Sequence, residues 1–261
     1  MNFSIIIVNH NTKELTKNCV NSVLKNRVGG SVEILIVDNA SRDGSARMLR
    51  KYFKNKITLI ENKENKGFGA ANNQGAAAAN GKYLFFLNSD TIIKNNMFTE
   101  LERSFSRDKN IGVVAPKLLL EDGDEQPRAF GDFPNPTNVI FEKFKPPAGY
   151  RNNPFEVDWA SGAALAVKKS IFERLGGFDE KFFMYFEDVD LCKRIKESGY
   201  KILVNPRASL THLCGKSLSG FSKRKAYYYE SQDYFYKKHY GAPQMYLMKI
   251  IRWPYKVLAR V

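Results

Sequence analysis

Between residues 3 and 115 the chain alternates five apolar runs of strand length with four helix-period segments, and this alternation constrains the fold more than any other feature. The runs are residues 3–8, 32–37, 57–61, 83–87 and 111–115. Between them lie residues 12–25, 43–53, 68–79 and 96–107, which carry helical spacing; in the first, Leu15, Cys19 and Val23 share one face. Strands apolar on both faces must be covered on both faces, and a strand-helix-strand repeat does so by running the strands parallel. The expected class is therefore α/β, a mostly parallel central sheet flanked by helices.

The pattern breaks from residue 121 to residue 155, where Pro127, Pro134, Pro136, Pro146, Pro147 and Pro154 crowd a stretch with little periodicity. A long irregular segment in a compact domain usually carries function, so an acceptor-side loop is expected there. Periodicity then resumes: a strand at 163–167, helices at 169–175 and 188–198, a final strand at 201–204, and a Tyr- and Lys-rich helix at 221–239. Residues 244–261 mix apolar and aromatic side chains with Lys249, Arg252, Lys256 and Arg260, as interfacial helices do. Pro254 is expected to split that segment in two. Alternatively the tail packs on the domain through Met245, Leu247 and Ile251. The expected division is a catalytic domain over 1–220, with halves 1–116 and 117–220, and a basic helical segment over 221–261.

Open parallel sheets bind ligands beyond the carboxyl ends of their strands. The first run ends in Asn9-His10-Asn11, the second in Asp38-Asn39-Ala40-Ser41, the fourth in Asn88-Ser89-Asp90. Asn11, Ser41 and Asp90 each precede a helical pattern, where such residues also serve as caps. Asp38 has the chemistry to accept from the imide N–H of uracil or thymine. No G-x-G-x-x-G follows the first strand and no G-x-x-x-x-G-K-[ST] occurs, which weighs against a dinucleotide enzyme and a P-loop enzyme. Bound phosphate would then need a divalent cation, with Asp90 as anchor and His212 as a second ligand or a structural histidine. Glu187, Asp188 and Asp190 open a helix, where acids suit the dipole. A general base for an acceptor hydroxyl is the alternative, its pKa raised by Phe182, Phe183, Tyr185 and Phe186.

The net charge is +14, and residues 193–261 hold 15 Lys/Arg against 3 Asp/Glu. Such a field suits nucleic acid, anionic lipid or a phosphorylated substrate. Nucleic-acid binding rests on charge alone and leaves the strand-end Asn/Asp set unexplained. A sugar-phosphate nucleotidyltransferase would want a Gly-rich basic loop where Asn9-His10-Asn11-Thr12 stands. Cys19, Cys192 and Cys214 are odd in number and widely spaced, so idle thiols in a reducing cytoplasm are expected. No apolar run reaches the roughly 20 residues that span a bilayer, and no basic region precedes the first apolar stretch, so no signal peptide is expected.

The stretches IIIVNHN, ILIVDNASRDGS, ENKENKGFGAANNQG, YLFFLNSD, ASGAALAVKKSIFERLGGFDEKFFMYFEDVDLCKRI and HLCGKS together resemble family 2 glycosyltransferases, and within them rhamnosyltransferase-like members. The resemblance implies a GT-A fold and an inverting, single-displacement transfer. The donor would be a dTDP- or UDP-sugar, rhamnose or similar, with another UDP-hexose or UDP-N-acetylhexosamine as the alternative. The acceptor would be a hydroxyl of a glycan or lipid-linked glycan in cell-surface polysaccharide synthesis, at the inner face of the cell membrane. The resemblance assigns Asp188 as catalytic base. It gives Asn9, Asp38, Lys66, Gly67, Asn72, Asn88, Ser89, Trp159 and Gly162 to the nucleotide-sugar, with Ser161 beside the transferred sugar, and Asp90 and His212 to Mg²⁺ or Mn²⁺. One departure stands out: the first position of the family's D-x-D is Asn88, an amide that brings no charge to a cation and is free to bond the ribose.

Overall fold

The computed structural model of the chain describes residues 2–26, 32–135, 149–213 and 221–258. Gly215 and Ser217 of the HLCGKS stretch, Cys214, Pro136, Pro146, Pro147 and Arg260 lie outside these residues. Strands β1 (Phe3–Asn9), β2 (Val32–Asp38), β3 (Thr58–Glu61) and β4 (Tyr83–Asn88) alternate with helices α1 (Lys13–Asn26), α2 (Ser45–Phe53) and α3 (Phe68–Ala77). They pair in parallel in the order β3-β2-β1-β4. Ile5, Ile6, Ile7, Leu84, Phe85 and Phe86 are all fully buried, which is why these runs are apolar without alternation. Burying each such side chain contributes about 1.5–3 kcal/mol. The chain lays β2 and β3 on one side of β1 and returns to lay β4 on the other, so the order reverses at the carboxyl ends of β1 and β4.

The second half is mixed. Its elements are β5 (Thr91–Ile93), α4 (Phe98–Arg107), β6 (Ile111–Leu119), β7 (Phe130–Gly131), β8 (Phe155–Val157), β9 (Trp159–Ala160), β10 (Ala164–Lys168), α5 (Lys169–Arg174), α6 (Glu187–Glu197) and β11 (Lys201–His212). Strand β10 enters antiparallel between β4 and β6; β11 runs parallel to β6 and takes β5 and β8 as antiparallel partners. Strands β7 and β9 pair apart from the main sheet.

Two strands outrun the expected lengths, and both pass a proline. β6 continues through Pro116 to Leu119, and β11 continues past Pro206 to His212. The register shifts between Asn205 and Ser209, opposite Pro116. A bulge absorbs the missing N–H donor of proline, so the ladder resumes beyond it.

Helices α7 (Phe221–Tyr240) and α8 (Ala242–Leu258) end the described chain. Helix α8 runs through Pro254 as one element, which corrects the expected split: proline removes one ladder bond, and the rest of a 17-residue helix carries it. Met245, Met248 and Ile251 pack on Tyr236 and Tyr240 of α7. Leu247 instead joins Tyr246, Ile250 and Trp253 in an exposed apolar set, 46–70% accessible. Among the described residues no helix is long and apolar enough to cross a membrane.

Candidate active site

The strand register sets the site. Asn9 stands opposite Asp38, and Val8 opposite Asn88, so the polar ends of β1, β2 and β4 lie side by side. Asn9 is fully buried. Its amide nitrogen donates to Asp38 Oδ2 at 2.6 Å and to Ser41 Oγ at 2.9 Å, while its oxygen accepts from Thr12 at 2.7 Å and Thr16 at 2.6 Å. All of Asn9's capacity is thus spent on holding Asp38 and the start of α1. Asp38 Oδ1 accepts from Ser41 N at 2.9 Å. Ser41 caps no helix: its hydroxyl accepts from Asn11 N, and α2 begins after Gly44 without a side-chain cap.

The next residue, Asn39, is also buried and ties in the 62–67 loop. It donates to Asn65 Oδ1 and Gly67 O and accepts from Asn62 Nδ2 and Lys66 N. An open cleft of about 650 Å³ lies over these strand ends, lined in part by His10, Ser41, Arg42, Asn62 and Lys63. The Lys66 side chain is exposed. Gly67 has φ +86°, and a Cβ there would stand 2.6 Å from Phe183 O, so only glycine lets the 183 loop approach. Asn72 is buried within α3 and donates to Phe68 O at 3.0 Å.

At the end of β4, Thr12 links to Ser89 Oγ at 3.0 Å, and the chain turns directly into β5. Asp90 therefore caps no helix. Because β5 pairs with β11 as His212↔Thr91, and Leu213 N donates to Asp90 O at 2.8 Å, the His212 ring is brought to Asp90. Its Nε2 lies 3.2 Å from Asp90 Oδ1. The other nitrogen, Nδ1, lies 2.8 Å from Gln126 Oε1. An amide oxygen only accepts, so Nδ1 carries a proton and, in the neutral ring, Nε2 turns its lone pair to the carboxylate.

Asp90 is 1% exposed, and neither carboxylate oxygen has a hydrogen-bond partner among the described residues. A buried carboxylate without a hydrogen-bond donor is costly, and a neutral imidazole presenting its lone pair supplies none. A cation between these groups removes that cost, and two adjacent ligands of an octahedral ion at ~2.1 Å stand about 3 Å apart. The donor set fits a divalent metal. Among the described residues no third His, Cys, Asp or Glu completes a cluster. Asn88 Nδ2 stands 3.5 Å from His212 Nε2, at the edge of hydrogen-bond range.

The third group arrives through β10. Asn88 N donates to Ala163 O at 2.9 Å, which sets the 161–163 turn beside the end of β4. From that turn Gly162 N donates to Asp188 Oδ2 at 2.7 Å, while Val189 N donates to Oδ1 at 2.8 Å. Asp188 thus sits at the N-terminus of α6, partly exposed. Burial pushes its carboxyl above the ordinary carboxylate value, outweighing the pull of the Gly162 and Val189 N–H groups. Glu187 is 5% exposed with Oε2 unpartnered among the described residues, and burial followed by the Asp188 charge drives it well above that value. Tyr185 and Phe186, just before them, have φ of 70° and 66°. Two bulky residues in the left-handed region are strained, and such strain gathers at functional sites. Trp159 on β9 bonds Asp132 O through its indole N–H and packs against the Phe182, Phe186, Val189 and Phe235 cluster.

Several participants escape inspection of the sequence. Gln126 lies in the proline-rich stretch, and nothing local marks it as the partner of His212. Asn73, in the middle of α3, clamps both backbone groups of Phe178. Asp190, which the sequence does show in the acidic run that opens α6, is fully buried and meets Arg194, Lys238 and His239, partners that the sequence does not reveal. Burial opposes its charge, but the His239, Arg194 and Lys238 contacts together hold its pKa below the ordinary value. Cys19 and Cys192 are buried, and burial pushes both thiols up to about 12, as idle core thiols.

Comparison with known proteins agrees with this architecture. Residues 4–176 match the model of glycosyl transferase family 2, and residues 140–214 match that of the N-terminal domain of galactosyltransferase. The chain is 29% identical over 206 residues to the low-salt glycan biosynthesis hexosyltransferase Agl10 of Haloferax volcanii, covering 76% of this chain and 63% of that protein. It is 29% identical over 205 residues to the N-acetylglucosaminyl-diphospho-decaprenol L-rhamnosyltransferase of Mycobacterium tuberculosis, covering 69% and 66%. The chain thus spans just under two thirds of the length of these curated relatives. The crystal structure of GalNAc-T7 with UDP, GalNAc and Mn²⁺ superposes with a TM-score of 0.68 at 22% identity, covering 90% of this chain and 50% of that one. The fold is that of GT-A glycosyltransferases, a curled sheet flanked by helices. The chain belongs to glycosyl transferase family 2.

Proposed function

We propose that the chain is an inverting glycosyltransferase that moves a sugar, rhamnose or a similar hexose, from a dTDP- or UDP-sugar to a hydroxyl of a glycan or lipid-linked acceptor. The observation that carries this reading is the bonded path from Asp38 through Asn9, Thr12 and Ser89 to Asp90 and His212, and across Asn88 and Ala163 to Asp188. A base reader, a cation site and a carboxylate base then share one edge of the sheet. The uracil or thymine ring enters the cleft over β1–β3, where Asp38 accepts its imide N–H. Asn9 acts through Asp38. The 62–67 loop with Lys66 and Gly67 closes over the nucleotide, and Asn88 and Ser89 face the ribose. Asn72 shapes this wall from within α3, while Trp159 and Gly162 border the transferred sugar.

Asp90 and His212 would hold Mg²⁺ or Mn²⁺, and the cation would supply charge neutralisation for the diphosphate leaving group. The acceptor hydroxyl oxygen forms its bond to the anomeric carbon as the bond from that carbon to the diphosphate oxygen breaks. Asp188 takes the hydroxyl proton. Its raised pKa makes it a better base than an exposed aspartate, and Gly162 and Val189 aim it. A thermal-shift screen of dTDP-, UDP- and GDP-sugars with Mn²⁺ tests the donor class, since a ligand that binds only the folded state raises its apparent stability. Stabilisation by dTDP or UDP donors is expected; a response to GDP-sugars alone would overturn the base assignment.

The exposed Tyr246, Leu247, Ile250 and Trp253 on α8, within a C-terminal region of net charge +12, support peripheral attachment to anionic lipid. Flotation with anionic liposomes, with and without residues 244–261, tests it: loss of flotation on truncation is expected, and equal soluble fractions refute it.

A further inference from the structure

Helix α7 touches every part of the segment that delivers Asp188. Tyr234 Oη and Lys238 Nζ donate to Asp179 Oδ2 at 2.9 and 2.8 Å. Ser231 Oγ donates to Met184 O at 2.7 Å. Lys238 and His239 reach Asp190 Oδ1 at 2.6 and 2.8 Å. Between these polar ties lie the ring pairs Phe183–Tyr227, Tyr185–Tyr228 and Phe186–Phe235, with centroids 4.7, 5.8 and 5.3 Å apart.

The held segment is the one that most needs holding. Met184 directly precedes Tyr185 and Phe186, the two residues forced to positive φ, and Asp190 lies in the first turn of α6 behind Asp188. A strained turn persists only where its surroundings over-determine it. Asp188 has the Gly162 N–H on the substrate side, Phe183 O accepts from Phe68 N, and Asp190 meets Arg194 on its own helix; the ties to Met184 O and to Asp190 Oδ1 come from α7.

We infer that helix α7 is a positioning element for the catalytic base, with Ser231 and His239 as its positioning residues. Ser231 fixes the carbonyl before the strained pair, and His239 fixes the first turn of α6 through Asp190. The inference rests on the reading of Asp188 as base. Removing either tie loosens the 184–188 turn, which moves the carboxylate while Phe183 O stays held by Phe68 N at the edge of the nucleotide cleft.

The test compares Ser231→Ala, Ser231→Thr and His239→Ala with the unaltered full chain and with Asp188→Asn. Three quantities are read: hydrogen exchange across 184–190, binding of dTDP and UDP with Mn²⁺ by calorimetry, and kcat and KM from dTDP-rhamnose to an N-acetylglucosaminyl diphospholipid. Ser231→Ala is expected to speed exchange in that segment and to lower kcat roughly 10- to 100-fold at unchanged nucleotide affinity. Ser231→Thr, which keeps the hydroxyl, is expected to restore both. His239→Ala is expected to follow Ser231→Ala, and if it does not fold, the Ser231 pair decides. Unchanged exchange in Ser231→Ala, or a kcat loss matched by weaker nucleotide binding, overturns the positioning role. Loss of transfer in Asp188→Asn with normal transfer in Ser231→Ala overturns it while leaving the base intact. Full transfer in Asp188→Asn overturns both.

Discussion

His212 Nε2 lies 3.2 Å from Asp90 Oδ1 across 122 residues of sequence, and the pair owes its contact to one strand register, His212 opposite Thr91. Gln126 orients the ring from behind. Removing the group that orients a ligating histidine typically costs 10- to 100-fold in metal affinity. Gln126→Leu is therefore expected to weaken Mn²⁺ binding by about that factor, measured by calorimetry in the presence of UDP. Asp90→Asn is expected to abolish it, and chelation by EDTA to stop transfer until Mn²⁺ or Mg²⁺ is restored.

Gly162 gives Asp188 its hydrogen bond and also its room. A Cβ at this position would stand 3.2 Å from Asp188 Cβ and 3.4 Å from Oδ2. Gly162→Ala forces the carboxylate aside by a few tenths of an ångström or more. A drop of roughly 10- to 100-fold in kcat is expected, with dTDP or UDP affinity unchanged. Steady-state kinetics beside nucleotide calorimetry separates the two.

Glu187 supplies a pH signature. Its carboxyl is raised well above the ordinary 4.5 by burial and then by the Asp188 charge. The folded state therefore holds this proton more tightly than the unfolded chain. Below pH 4.5 both states are protonated and folding bears no cost. As pH rises from 4.5 through the raised value, the unfolded chain releases this proton before the folded state does, so stability is lost across that window and the full cost stands above it. Glu187→Gln removes the ionisation, so the variant gains on the parent as pH rises above 4.5. A Tm higher by roughly 2–8 °C at pH 8 is expected, closing towards zero at pH 4. Calorimetric melts at both values check it.

The parallel half of the fold is legible in the sequence because β1, β2 and β4 are buried on both faces and show it as unbroken apolar runs. The second half is less so. Pro116 and Pro206 mark strand ends by local rules, yet β6 and β11 pass both at a shared irregularity. That irregularity carries β11 on to His212. Asp38, Asp90 and Asp188 stand out as acids at the ends of patterned segments. Gln126, Asn39 and Ser231 do not, because their roles come from partners 23–86 residues away. Asn9 shows the converse: it is conspicuous at a strand end, but its amide is wholly committed to Asp38, Ser41, Thr12 and Thr16.

In the proposed reaction Asp188 removes the acceptor proton, while Asp38 and a cation on Asp90 and His212 would hold the donor. Asp188→Asn keeps the size of the side chain and an oxygen for the Gly162 N–H, and removes the base. Transfer from a dTDP- or UDP-sugar to a lipid-linked acceptor, read beside nucleotide binding on the same protein, separates the two functions. A fall of about 10²- to 10⁴-fold in kcat with nucleotide affinity preserved is expected; undiminished transfer by Asp188→Asn would show that Asp188 is not the base.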